Sequence, residues 1–227
     1  DEEFSPPIDR YAAFVRYERT GLRDTISIDL GYNEVETAGL DADGVLAVID
    51  WQRQTSANGT LSMSAGSRYS DQGNMFRFMQ SASRNLAETN DLPVSGDPFE
   101  SLFYTVSYGL EHTRYSINFI AGWNREDYEG QSELDRDLYR ADLRFRRDVS
   151  RRIFLGADFG FRRRDYEFIE RRDDDLILGV TGGYRFTPGF DLSLSYSYSQ
   201  RDSITPAAEF TENRVFLRAT YVPVWSR

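Results

Sequence analysis

Hydrophobic and polar residues alternate along most of this chain with a period of two. The clearest case is residues 191–200, where Leu192, Leu194, Tyr196 and Tyr198 alternate with Ser193, Ser195, Ser197 and Ser199. Successive side chains of a strand point to opposite faces, so one face here is apolar and aromatic and the other carries hydroxyls. A helix would mix the two sets. The apolar face ends in tyrosines, whose apolar body and polar tip suit a lipid headgroup layer.

The pattern recurs about eleven times. Apolar positions alternate over residues 11–17, 26–32, 45–51, 61–69, 102–110, 115–123, 139–145, 153–161, 176–186, 192–198 and 215–221. The third run is the least clear, because Leu46 and Val48 fall on the polar side. With the polar residues that flank its apolar positions, each run is about 9–13 residues, the length a tilted strand needs to cross a bilayer. Strands of soluble proteins are nearer five or six. No helical periodicity of comparable quality is present.

The connections alternate too. Tight turns are expected at 21–23, 55–58, 111–114, 148–151 and 187–189, and longer polar loops at 34–44, 70–97, 125–137, 165–174 and 202–212. Short turns at one end and long loops at the other predict a transmembrane antiparallel up-and-down β-barrel, with periplasmic turns and extracellular loops. Residues 1–227 read as one all-β domain of about 11–12 strands. An odd strand count beginning at the loop end does not close as bacterial barrels do, which have even counts and start in the periplasm. At least one rising strand is therefore expected upstream, making this the C-terminal part of a larger barrel.

Composition adjusts this picture. The 227 residues carry a net charge of −10, which disfavours a nucleic-acid partner. Cysteine is absent, removing disulfides and thiolate metal sites, and the 27 basic residues are all arginine. Mean hydropathy is −0.58. That value suits a barrel, in which only every second strand residue faces lipid. Aromatic residues make up 15% of the chain. Tyr104, Tyr108, Trp123, Tyr184, Tyr196 and Tyr198 fall on the apolar side, as lipid-interface aromatics would.

The polar side carries Arg16, Arg68, Arg140, Arg144, Arg146, Arg162, Arg164, Arg185, Arg214 and Arg218. Against them stand Glu18, Asp29, Asp50, Glu111, Asp142, Asp158, Asp175 and Asp191, leaving a mildly basic wall and acidic loops. The basic density is greatest across the seventh and eighth runs, where one register sets Arg140 opposite Asp158. From Arg140 to Arg218 this set is a candidate lumen lining and substrate contact, since guanidinium groups fork to carboxylate and phosphate. Ion-paired ladders that merely satisfy polar groups inside a barrel are the competing reading.

Three acidic groups read as solvated loops rather than cation sites: Glu126, Asp127 and Glu129; Glu133, Asp135 and Asp137; Asp173, Asp174 and Asp175. The last lacks the glycine turn and spacing of a calcium loop. His112 is the only histidine and sits at an expected tight turn, a poor place for a Ser–His pair. No catalytic residue, metal ligand set or cofactor motif is identified.

Three segments go beyond the generic pattern: R-F-R-R-D-V-S-R-R-I-F-L-G-A-D-F-G-F-R-R-R-D-Y-E at 144–167, G-Y-R-F-T-P-G-F-D-L-S-L-S-Y-S-Y-S-Q-R-D-S at 183–203, and T-E-N-R-V-F-L-R-A-T-Y at 211–221. They resemble the porin-like outer-membrane β-barrels encoded with exopolysaccharide-export and exosortase (PEP-CTERM) systems. The resemblance is best over 137–221 and thin before 97. Members usually end in an aromatic, whereas here Val222, Pro223, Val224 and Trp225 follow Tyr221. The resemblance implies an integral protein of the bacterial outer membrane that conducts, or assists the export of, a polysaccharide. It implies as partners outer-membrane lipid and lipopolysaccharide, an anionic polysaccharide and other export-system proteins. A passive diffusion porin for small solutes, and a scaffolding barrel whose acidic loops bind a surface partner, are the alternatives.

Overall fold

Alternating residues build strands wherever both faces can be satisfied, and here they build a single sheet. The computed structural model describes residues 9–37, 40–70, 98–187 and 189–222. The expected long loop at 70–97 lies, beyond Ser70, outside the described residues.

Eleven strands follow one another: β1 (Asp9–Thr20), β2 (Asp24–Thr37), β3 (Leu40–Ser56), β4 (Gly59–Ser70), β5 (Phe99–His112), β6 (Tyr115–Tyr128), β7 (Arg136–Asp148), β8 (Ile153–Tyr166), β9 (Arg172–Thr187), β10 (Phe190–Ser203) and β11 (Phe210–Tyr221). Each pairs antiparallel with its neighbours in sequence order, an up-and-down meander. β1 and β11 are its two edges, each paired on one side only among the described residues.

The strands are longer than the alternating runs because polar residues at the loop end continue the ladder. β8 reaches Tyr166 and β9 starts at Arg172, so the expected 165–174 loop shrinks to five residues. The 125–137 and 202–212 loops shrink likewise, each to a short connection with one 3-10 turn, at Ser132–Leu134 and Pro206–Ala208. Asp135 holds the first in place by accepting the Tyr128 backbone N–H at 2.6 Å. At the opposite end the turns are tight. The β7–β8 turn is held by Ser150 Oγ, which accepts the backbone N–H groups of Arg152 and Ile153 at 3.1 and 3.0 Å.

Register assigns the faces. One face carries Val15, Ile28, Ala47, Met63, Val106, Phe119, Leu143, Ala157, Val180, Leu194 and Leu217, and this apolar belt runs unbroken across all eleven strands. These side chains stay open: Val15 is 76% exposed, Val180 56% and Leu217 72%. The only buried large hydrophobic side chains among the described residues are Val35, Phe99, Tyr128 and Phe154. A water-soluble protein does not leave a belt of that extent uncovered.

Charged residues bound the belt at both ends. Glu34, Asp43, Glu100, Arg125, Asp137, Arg163 and Asp174 follow it at the loop end, while Arg19, Asp24, Arg53, His112 and Arg147 follow it at the turn end. On β8 the apolar positions run from Ile153 to Phe161. That span rises about 27 Å along the strand. At the tilt of about 40° usual in membrane barrels it covers about 21 Å of bilayer, most of the height of a lipid-facing band.

Candidate functional site

The second face is polar from edge to edge, and its charged groups are organised in rows. Arg140, Arg144, Arg146, Arg162, Arg164, Arg185, Arg214 and Arg218 share it, together with Arg16 and Arg68. Across β2–β5 the same face is built from small polar groups. Thr25, Ser27, Asp50, Gln52, Ser62, Ser64, Thr105 and Ser107 line a shallow hollow there.

The register corrects one pairing. Arg140 faces Arg162, not Asp158, and Asp158 faces Arg144. β7 runs to Asp148 and β8 starts at Ile153, so the turn, held by the Ser150 hydroxyl, begins one residue later than the expected 148–151 turn, and the ladder slides with it. Arg144 Nε donates to Asp158 Oδ1 at 3.0 Å, and Arg140 is tied to Asp142 on its own strand.

Toward the loop end the pairs are tighter and drier. Asp175 accepts from Arg201 Nε at 2.6 Å and from Arg164 Nη1 at 2.7 Å, one carboxylate serving guanidinium groups from both flanking strands. Asp173 accepts from Arg171 Nη2 at 2.8 Å and Ser203 Oγ at 2.6 Å. Glu126 and Arg136 are the most enclosed pair, at 0% and 1% side-chain exposure and 2.7 Å apart. Asn124 Nδ2 and Tyr128 Oη also donate to Glu126, and Ser101 donates in turn to Asn124.

The acidic groups expected in solvated loops are thus corrected in all three places. Glu126 lies near the end of β6 and Asp173 and Asp175 near the start of β9, all facing the polar side and buried, and Asp135 is buried in the β6–β7 connection. On β6 and β9 the ladder extends four to five residues past the apolar runs, so Glu126, Asp173 and Asp175 become wall rather than loop. Arg136, Arg201, Glu126, Asp148, Asp173 and Glu212 are further members of the wall that the alternation of apolar residues did not reveal. Their parity could have shown them, since Arg136 lies four residues before Arg140 on the same strand. With these members added, the wall is close to charge-balanced rather than mildly basic.

Toward the turn end the balance loosens. Arg185 Nη2 donates to Asp148 Oδ1 at 2.9 Å. Arg146 and Arg218 have no carboxylate partner among the described residues. Arg146 instead lies 4.5 Å from the centroid of the Phe154 ring, and Arg185 lies 5.3 Å from the same ring. His112 closes β5 and stacks on Tyr115, ring centroids 4.8 Å apart.

Comparisons with known proteins agree with this architecture. Residues 136–221 match a family model described as "Putative beta-barrel porin 2". The chain is an integral outer-membrane β-barrel protein. Its fold is similar to that of in-vitro folded OmpT, an outer membrane protein of Vibrio cholerae, with a TM-score of 0.54 and 11% identity over 92% of this chain and 63% of that one. The chain thus spans under two thirds of that protein's length. A loop-deletion mutant of the same protein (TM-score 0.46, 11% identity, 96% of this chain and 89% of that one) and the CymD monoaromatic hydrocarbon channel (TM-score 0.24, 8% identity, 95% and 85%) are more distant in shape. No curated protein matches the chain.

In the barrel, the apolar belt faces lipid and the polar wall faces inward. Tyr104, Trp123, Tyr196 and Tyr198 stand on the apolar face toward the loop end, and Tyr108 and Tyr184 on the same face toward the turn end. Trp123 Nε1 donates to Asp137 at 2.9 Å, so its polar edge points to the charged rim.

Proposed function

We propose that this barrel is the wall of a water-filled conduit for hydrated anionic solutes, an exported acidic polysaccharide among them. One observation carries the reading: a continuous polar wall backs a continuous lipid-facing belt, and that wall offers both hydroxyls and guanidinium groups. Serines of β10 and the hydroxyl hollow of β2–β5 provide weak, exchangeable contacts for a hydrated chain. Ion pairing fixes the wall without leaving it uniformly positive, so anions are guided at particular points. The export role rests on the family resemblance. Lipopolysaccharide and export-system proteins are the partners this reading implies.

Closure of the wall belongs to the same proposal. β1 and β11 run in the same direction, because each successive strand reverses. Direct pairing between them would be parallel. Unpaired strand edges are not tolerated in lipid. We infer that both edges are paired in the membrane.

The test is electrical and genetic. Purified full-length protein in planar bilayers is expected to give discrete conductance steps, with a zero-current potential in a KCl gradient of the sign that marks anion preference. Steady cation preference would overturn the anion reading. Deletion of the gene is expected to reduce surface polysaccharide, and a normal surface would remove the export role.

A further inference from the structure

Among the described residues, Phe154 is the one large aromatic side chain buried on the polar wall of the β7–β11 half, and its surroundings are unusual for a packing residue. Its partner across β9 is Gly183. A Cβ there would sit 2.0 Å from the ring. The glycine therefore lets the ring lie flat against the sheet, leaving its upper surface for cations. Two guanidinium groups use it, Arg146 from β7 and Arg185 from β9, so they stand within about 10 Å of each other across one ring.

Their chemistry differs. Arg185 already serves Asp148. Arg146 is exposed and has no acceptor among the described residues. Arg218 lies in the same row as Phe154, reached through Gly183 and Ser193, and it too is exposed and has no carboxylate partner among the described residues. A guanidinium stacked on an aromatic ring is held in orientation while its N–H edge stays free to fork to a carboxylate. Ser193 stands beside Arg218, and Arg146 and Arg218 rise from strands four apart, a separation of about 19 Å across the sheet.

We propose that this platform is a binding site for the carboxylates of an acidic glycan, with Arg146 as the principal contact and Arg218 as a second. The proposal rests on the conduit reading and places the first solute contact at the turn end, ahead of the ion-paired rows. Cations so far apart suit an extended chain that carries carboxylates at intervals of several sugars better than a single compact anion.

The experiment measures equilibrium binding of a fluorescent oligogalacturonate to the detergent-solubilised full-length protein, with bilayer current recorded in parallel. Saturable binding is expected, at least tenfold weaker for the methyl-esterified oligomer. Arg146→Gln is expected to weaken binding about tenfold, the loss of one charge-assisted contact. Arg146→Lys should fall between, because it keeps the charge but not the stacked fork. Arg23→Gln, in the β1–β2 turn, should match the parent. Heat-modifiable gel migration checks that each variant is folded. Binding unchanged in both Arg146 variants would overturn the proposal, as would acetate competing as well per carboxylate as the oligomer. Binding without conductance would leave the site standing and defeat the conduit, whereas conductance without binding would do the reverse.

Discussion

At the scale of single residues, the enclosed charges decide most. Glu126 and Arg136 are excluded from solvent and hold each other through a direct ion pair. Removing one partner of such a pair strands the other charge, at a cost of about 3–5 kcal/mol. Glu126→Ala is therefore expected to lower stability by that amount in urea unfolding from lipid vesicles, and Glu126→Leu combined with Arg136→Met to recover much of it. Gly183 makes a steric prediction. Gly183→Val pushes the Phe154 ring off the sheet and should cost about 1–3 kcal/mol, as overpacking does. Little of this was legible in the sequence. The arginines of the wall could be read from parity, but Glu126 and Asp173 sit beyond the last apolar residue of their strands, and nothing apolar marks their face.

At the scale of elements, each strand sorts its side chains by solvent. Val180→Arg places a charge mid-belt and is expected to cost about 2–4 kcal/mol, while Ser195→Arg, inward on the neighbouring strand, should be nearly neutral by the same unfolding measurement. The β6–β7 connection adds a pH dependence. Burial raises the Asp135 carboxyl above its usual range, partly offset by the Tyr128 backbone N–H it accepts. The folded protein then holds that proton more tightly than the unfolded chain. Its contribution to stability is present below the ordinary aspartate range and is lost as pH rises through the raised value. Asp135→Asn should flatten that part of the stability–pH curve. Strand number, faces and short-turn ends were readable from periodicity because lipid and water impose it. The β7–β8 register was not, since it depends on where Ser150 places the turn.

At the scale of the molecule, the account rests on orientation: one face of an eleven-stranded sheet in lipid, the other around water. The absence of cysteine makes this directly testable, because every introduced thiol is the only one. Leu194 and Tyr196 face outward on β10, while Ser195 and Ser197 face inward between them. The most direct measurement is reaction of single-cysteine variants of the membrane-embedded protein with a charged, water-soluble maleimide. Ser195→Cys and Ser197→Cys are expected to label rapidly, and Leu194→Cys and Tyr196→Cys to stay unlabelled until the membrane is dissolved. Equal labelling at all four positions, or labelling of the outward pair alone, would contradict a water-filled conduit bounded by lipid.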